Sequence, residues 1–184
     1  MGRPKNFSRE EVLQKAITVF WKHGFADASL QDLEAATGVN KSGLYAEFKN
    51  KEDLYLASLQ HYIDRPNRNG VLSQLPLGWK NVEAFLKLGQ VCTTEEKGCF
   101  AVSSMRELAV LPAEAHDMVM QNVARMRHLL LKNIRAEPTK MDAEIITEMV
   151  MTFFSGFCLE QNLKTTKAAS ARKITHLMQV IRSI

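Results

Sequence analysis

The chain has 184 residues, a hydrophobic content of 46% and a formal net charge of +4 at neutral pH. This composition is typical of a globular protein of one or two domains, and the lack of any apolar run of about 18 residues argues against a membrane span. Three cysteines are an odd number, which argues against a disulfide framework and favours a reducing compartment. We therefore expect a cytoplasmic protein.

Capping residues predict short helices in the N-terminal region. The first helix begins after Ser8, carries a regular apolar stripe and ends at Gly24. Ser29, Asn40 and Asn50 are residue types that prefer the N-cap position, and each stands directly before another helical pattern. These caps predict that three further helices follow one another at short intervals.

The second and third predicted helices have the layout of a helix-turn-helix. Gly38 lies between them, and glycine tolerates the positive φ that ends a helix in a sharp turn. The third helix would then offer Lys41, Ser42 and Tyr45 on an exposed face. Because the second helix of this motif lies in the DNA major groove, these side chains are candidates for base contacts.

Longer helices are predicted for the rest of the chain. Residues 66–78 are rich in proline, glycine and asparagine, which predicts a linker. After this linker, apolar periodicity predicts helices that span approximately residues 81–92, 99–111, 112–136, 141–163 and 168–184. No stretch shows the sustained alternation of a strand, so the predicted fold class is all-α.

A dense set of residues in the first third of the chain resembles the N-terminal domain of TetR/AcrR-type transcriptional regulators. The residues that carry this resemblance are Phe20, His23, Gly24, Phe25, Ser29, Leu33, Ala36, Gly38, Val39, Gly43, Leu44, Tyr45, Phe48, Lys51, Glu52 and Leu54. The segment from Lys97 to Phe100 is similar to a Gly-Cys segment found in many members of that family. Over the rest of the chain the resemblance lies in length and helical character.

The resemblance implies how the chain is divided. It implies a helix-turn-helix DNA-binding domain over residues 1–50, a connecting helix over 51–65, and an effector-binding and dimerisation domain over 66–184. The last two predicted helices would form a four-helix bundle with a second copy of the chain. Such a homodimer would read a near-palindromic operator in double-stranded DNA, with recognition helices one DNA turn, about 34 Å, apart or a multiple of it.

The resemblance also implies which residues contact DNA. The predicted set is Ser29, Gln31, Asn40, Lys41, Ser42, Gly43, Tyr45 and Lys51. Within it, Ser29 and Lys51 would hold phosphates at helix N-termini, and Gly43 would let the recognition helix approach closely. Glu47 departs from the aromatic or histidine side chain often found at its position, and we expect its carboxylate to face away from DNA.

Net charge alone does not identify a DNA-binding protein here. Residues 1–65 contain nine Lys or Arg and nine Asp or Glu, so the predicted DNA-binding region is close to neutral. An effector-independent DNA-binding protein and a helical interaction adaptor therefore stay open as alternatives. No Ser/His/Asp grouping, carboxylate pair or phosphate-binding loop points to an enzyme.

Apolar and methionine side chains of the C-terminal half are candidates for the wall of an effector pocket, because methionine adapts to varied apolar ligands. The predicted effector residues are Cys99, Phe100, Met105, Met118, Met149 and Phe153, with Phe85, Leu88 and Phe157 as further candidates. The alternative is that these side chains form only an ordinary core. No cofactor is predicted, and the scattered histidines and cysteines lack the spacing of a metal site.

Cys99 has two interpretations. It opens a predicted helix after Lys97, where the helix dipole and the ammonium would stabilise a thiolate and make it reactive. The alternative is a buried, inert thiol. The predicted function is thus a ligand-responsive transcriptional regulator, most simply a repressor that a small-molecule, electrophile or oxidant effector releases from its operator.

Overall fold

The computed structural model describes residues 7–65, 70–90, 98–163 and 166–184. Within these ranges the protein contains α-helices and two short 3-10 helices, Val71–Ser73 and Met105–Glu107, and no strand. The α-helices are α1 Arg9–Asp27, α2 Leu30–Thr37, α3 Lys41–Glu47, α4 Lys51–Ile63, α5 Trp79–Leu88, α6 Phe100–Ser104, α7 Ala113–Arg135, α8 Ala143–Glu160 and α9 Lys167–Ser183. The predicted all-α fold is confirmed.

Side-chain caps start the three helices that follow α1. The Ser29 hydroxyl accepts from the Asp32 N–H at 3.1 Å, and the Asp32 carboxylate accepts from the Ser29 N–H at 3.0 Å. Asn40 and Asn50 each accept, through the side-chain oxygen, the N–H three residues on. These three predicted N-caps are confirmed.

The turn between α2 and α3 is made at Gly38. Its φ is +73°, which lies in the left-handed region, and its N–H donates to the Glu34 carbonyl at 2.9 Å. Leu33 of α2 and Leu44 of α3 lie in the core, and each is at most 1% exposed. Ala36, one of the residues that carry the family resemblance, is exposed. Its neighbour Thr37 is buried, and the Thr37 hydroxyl is satisfied because it donates to the Leu33 carbonyl.

The C-terminal helices pack around α7. This helix contacts α4, α5 and α8, while α9 packs against α5. The predicted linker at 66–78 is only partly described, and the described part is not a loose connection. Leu72 is fully buried, and Asn133 of α7 donates to its carbonyl at 2.8 Å and accepts from the Gly78 N–H at 3.0 Å. The linker prediction is therefore wrong for this part.

The helix that we predicted over 99–111 is much shorter. α6 ends at Ser104, and a 3-10 turn carries the chain to Glu107, whose carboxylate reaches the end of α1. The last residues of the predicted 81–92 helix and Lys97 lie outside the described residues. Within the described part of the chain, no helix is long and apolar enough to cross a membrane.

Candidate DNA-reading surface and effector cavity

The exposed face of α3 carries three of the predicted DNA-contacting residues. Lys41 and Ser42 are exposed, and the Tyr45 ring is 38% exposed, which is unusual for a large aromatic side chain in a small helical domain. The Lys41 ammonium lies 5.9 Å from the centre of the Tyr45 ring. α3 therefore presents a cation, a hydroxyl and a phenol side by side.

Two further members of the predicted set lie at the start of α2. Gln31 is exposed, and Ser29 is exposed although its hydroxyl is engaged by Asp32. The hydrogen bonds from the Ser29 hydroxyl and backbone N–H hold the pKa of the Asp32 carboxyl below its usual range. Asp32 thus stays ionised, and its charge would oppose a phosphate beside Ser29.

Contacts inside the motif fix how α3 is presented. The backbone N–H of Lys41 donates to the Glu34 carboxylate, which ties α3 to α2. The side-chain oxygen of Asn40 accepts from the Gly43 N–H at 2.9 Å and from the Ser42 hydroxyl at 3.0 Å. Asn40 therefore acts as a cap within the protein, and contact with DNA stays a prediction for it.

Gly43 has an intramolecular reason to lack a side chain. A Cβ at this position would lie 2.7 Å from Cγ1 of Val39 and 3.2 Å from the side-chain oxygen of Asn40. Gly43 is also half-buried rather than exposed. Close packing of α3 on its own turn thus accounts for the glycine, whereas close approach to DNA stays a prediction.

Lys51 is held by the backbone at the end of α1. Its ammonium donates to the carbonyls of Phe25 at 2.8 Å, Ala26 at 3.3 Å and Ala28 at 3.1 Å, and lies 4.7 Å from the centre of the Phe25 ring. Three carbonyls occupy the three donors of an ammonium group. A phosphate contact stays a prediction for Lys51, and it would have to compete with these carbonyls.

Glu47 points away from the exposed face of α3, as we expected. Its carboxylate lies 3.4 Å from Nε of Arg9, and the side chain is only 16% exposed. The Arg9 guanidinium also lies 5.0 Å from the centre of the Phe48 ring. This ion pair removes a carboxylate from the surface that would face phosphates.

A cleft lies on the other side of α4, between α4, α5, α6, α7 and α8. Its free volume is about 50 Å³, and it is partly open to solvent. The residues that line it are Tyr62, Ile63, Phe85, Leu88, Cys99, Ala101, Val102, Met105, Asn122, Val123, Met126, Met151, Phe154 and Ser155. We call this space the cavity. The predicted residues Phe85, Leu88, Cys99 and Met105 lie in its wall.

Five predicted effector residues, Phe157 among them, do not line the cavity. Phe153 lies on another side of α8 and stacks on Phe157, while its neighbour Phe154 faces the cavity and contacts the Phe85 ring at 4.3 Å between centroids. Phe100 is buried against aromatic rings of α1 and α4. The other two, both half-buried methionines away from the wall, are Met118 and Met149.

Cys99 lies at the start of α6, as we predicted, and its side chain lines the cavity. It is only 5% exposed, and α6 has only five residues, so the helix offers a small dipole. This burial limits the access of reagents to the thiol. Reactivity of Cys99 therefore stays a prediction.

The segment 99–107 joins the cavity to the DNA-reading domain, and the sequence analysis missed this. One side of the segment lines the cavity through Cys99, Ala101, Val102 and Met105. Its other side is hydrogen-bonded to α1 and α4. The bonds run from the Phe100 N–H to the Tyr62 oxygen at 2.9 Å, from the Tyr55 hydroxyl to the Ser104 oxygen at 2.7 Å, and from the Phe25 N–H to the Glu107 carboxylate at 3.0 Å.

The contacts made by Tyr55 and Tyr62 are buried, whereas those made by Glu107 are partly or fully exposed. Burial raises the pKa of Tyr55 to about 12, so its hydroxyl stays protonated and keeps donating to Ser104. The carboxylate of Glu107 also accepts from the Ala26 N–H at 3.4 Å. Residues 25–28 are thus held on both sides, with N–H groups bound by Glu107 and carbonyls bound by Lys51. They lead directly into Ser29, the first cap of the helix-turn-helix.

The chain was compared with known proteins. Residues 12–58 match the family described as "Bacterial regulatory proteins, tetR family". The HTH-type transcriptional repressor ComR of Escherichia coli strain K12 is 32% identical over 192 aligned positions, covering 97% of this chain and 88% of ComR. The HTH-type transcriptional repressor BdcR of the same strain is 25% identical over 159 positions, covering 84% of this chain and 79% of BdcR.

A solved structure has the same fold. A cysteine mutant of the TetR family transcriptional regulator CifR, complexed with 26-bp double-strand operator DNA, superposes with a TM-score of 0.84 at 23% identity. The match covers 98% of this chain and 100% of the CifR chain. The capped helix-turn-helix, the helical body behind it and the likeness to ComR over nearly the whole chain agree: the protein belongs to the TetR family of bacterial transcriptional regulators.

Proposed function

We propose that the protein is a homodimeric repressor that binds a near-palindromic DNA operator and leaves it when an effector enters the cavity. The exposed face of α3, capped by Asn40 and carrying Lys41, Ser42 and Tyr45, is the observation that carries this proposal. Bidentate or single hydrogen bonds from such side chains to base edges are the usual means of reading the major groove. Family membership and the repressor relatives support the direction of regulation.

Exposed apolar side chains on the last two helices support the dimer. Ile145, Leu159 and Leu163 lie on or just after α8 at intervals close to whole helical turns, and Ile145 is 53% exposed. Val180 of α9 is 50% exposed. Burying such residues against a second copy removes apolar surface from water, which favours association. The same pair of helices would then bring two α3 helices to a common spacing.

Release would pass through the segment 99–107. An effector that fits better when Val102 or Met105 has shifted would also displace Glu107, because only one residue separates Met105 from Glu107. Glu107 binds the backbone of residues 25–28, so the start of α2 would move with it. The effector can shift the equilibrium only by its difference in affinity for the two arrangements.

Operator binding is tested first. Selection of bound DNA fragments followed by sequencing should return a near-palindrome, and light scattering should give the mass of a dimer at micromolar concentration. A recovered site without two-fold symmetry, or a stable monomer, would contradict the homodimer. DNA binding that no small molecule, electrophile or oxidant relieves would favour the effector-independent alternative.

The cysteine route is tested separately. If an electrophile acts through the thiol in the cavity wall, diamide should release the wild-type protein from its operator but leave Cys99→Ser bound. Cys158→Ser is the matched control, because Cys158 is another buried thiol and does not line the cavity. Equal release of the Cys99→Ser variant would exclude Cys99 as the sensor. Release of neither protein would leave reversible binding in the cavity as the route.

A further inference from the structure

The cavity wall has a distinct chemical composition. Of its fourteen lining residues, all described, none is Lys, Arg, Asp, Glu or His. An ion placed in such a space loses its water without gaining a partner of opposite charge, and that loss is costly. The described wall therefore selects against charged molecules.

Two polar side chains in this wall are not used by the protein itself. The Asn122 amide on α7 and the Ser155 hydroxyl on α8 are half-buried and hydrogen-bond to no other described residue. By contrast, the buried hydroxyls of Ser58 and Ser104 each donate to a carbonyl four residues earlier, at 2.7 Å and 2.9 Å. Half-buried polar groups that lack a partner are suited to form a hydrogen bond with a polar group of a ligand.

The rest of the wall is apolar and adaptable. Met105, Met126 and Met151 come from three different elements and face the same space, and unbranched thioether side chains can repack around ligands of varied shape. The rings of Phe85 and Phe154 form a flat apolar side. A ring-sized apolar body is larger than the free space of about 50 Å³, so it would bind only where these methionine side chains repack around it, with its polar end at Asn122 and Ser155.

We infer that the effector of this cavity is an uncharged, mainly apolar small molecule with one hydrogen-bonding group, which Asn122 and Ser155 bind. This inference rests on the proposed function and narrows it to a ligand class. Against the described part of this wall, charged metabolites such as carboxylic acids, phosphates and amines should bind much more weakly than a neutral molecule of the same shape.

The test uses four probes of one shape: para-fluorotoluene, para-fluorobenzyl alcohol, para-fluorobenzoate and para-fluorobenzylammonium. Binding to the full-length dimer without DNA is measured by fluorine NMR at pH 7. We expect the alcohol to bind at least about tenfold more tightly than either ion, because only the ions must be desolvated as charges. An ion that binds as tightly as the alcohol, or failure of the alcohol and toluene to bind, would overturn the inference.

The polar end is tested with a matched pair of variants. Asn122→Leu should weaken the alcohol about two- to tenfold and leave the toluene unchanged, because one hydrogen bond is lost. Gln121→Leu removes an exposed amide from the neighbouring position of α7 and should change neither affinity. Equal effects of the two variants on the alcohol would overturn the role of Asn122. Because these measurements need no DNA, a protein that fails to bind an operator would contradict the proposed function while leaving the ligand class decided.

Discussion

The DNA-reading helices and the helices of the cavity wall differ in how their sequence specifies them. α2 and α3 have only 8 and 7 residues, and each begins at a side chain that caps an N–H three residues on. α7 and α8 have 23 and 18 residues, and the apolar residues of α8 spread over most of its circumference. Short helices are marginal on their own, so caps and a fixed turn must define them.

This difference has a functional side. The capped unit presents α3 in one orientation, which suits the reading of a rigid groove. The cavity wall is made of methionines, small aliphatic residues and aromatic rings, which suits a ligand that the wall must close around. Four experiments sharpen or break this comparison.

The largest effect is expected in the cavity wall. Phe154→Ala should lower the free energy of unfolding by about 3–5 kcal/mol, because the side chain is buried on Phe85 and its loss enlarges the cavity. Urea denaturation measures this. Val110→Ala, at a residue that is 56% exposed, is the control and should cost less than about 0.5 kcal/mol. If Phe154→Ala lowers the free energy of unfolding by no more than the control does, the Phe154 side chain is not tightly packed in the cavity wall.

The second experiment concerns base reading by α3. Lys41→Ala should cost about 1–3 kcal/mol on the selected operator and less on random DNA, because a base contact adds to specificity. Fluorescence anisotropy with both DNAs measures the difference. Lys132→Ala, an exposed lysine of α7, is the control and should affect neither. Equal losses on both DNAs would make Lys41 a phosphate contact instead.

The third experiment separates the cap from the DNA contact at Asn40. Asn40→Ala should destabilise the protein by about 1 kcal/mol, because the Gly43 N–H loses its acceptor. Asn40→Asp keeps an acceptor and should keep the stability, while its added negative charge should weaken operator binding. Thermal unfolding measures the stability of each variant, and fluorescence anisotropy measures its affinity for the operator. If Asn40→Ala has the same melting temperature as the wild type, the Asn40 cap does not stabilise α3.

The smallest effect is expected at Lys51. Lys51→Ala should lower the salt dependence of DNA affinity by about one unit on all sequences, as expected for one lost phosphate contact. It should also lower the free energy of unfolding by about 0.5–1.5 kcal/mol, because the carbonyls of residues 25–28 lose their donor. A loss of stability with an unchanged salt slope would assign Lys51 to those carbonyls alone.

The helix-turn-helix could be predicted from the sequence because the contacts that define it are local. Ser29, Asn40 and Asn50 act on N–H groups three residues away, and Gly38 acts on its own turn. The residues that line the cavity could not be predicted with the same accuracy. α8 carries two adjacent phenylalanines, Phe153 and Phe154, and helical periodicity does not decide which of two neighbours faces a cavity.

The contacts of the segment 99–107 could not be predicted from the sequence, for a different reason. Glu107 contacts a backbone N–H 82 positions earlier in the chain. No periodicity links two such positions, and a single glutamate within a predicted helix resembles an ordinary surface residue. Family resemblance gave the domain order and the dimer hypothesis, but it gave no side-chain partner for this carboxylate.

Gly24, where α1 leaves the helical region with a φ of +79°, has a consequence for genetics. A Cβ at this position would lie 2.5 Å from the Glu107 carboxylate, so any side chain there would push that carboxylate away. Gly24 touches neither the exposed face of α3 nor the wall of the cavity. Because the proposed release also begins when Glu107 is displaced, Gly24 alleles in a reporter screen should form a class that is derepressed without inducer, although the exposed face of α3 and the cavity wall are unchanged.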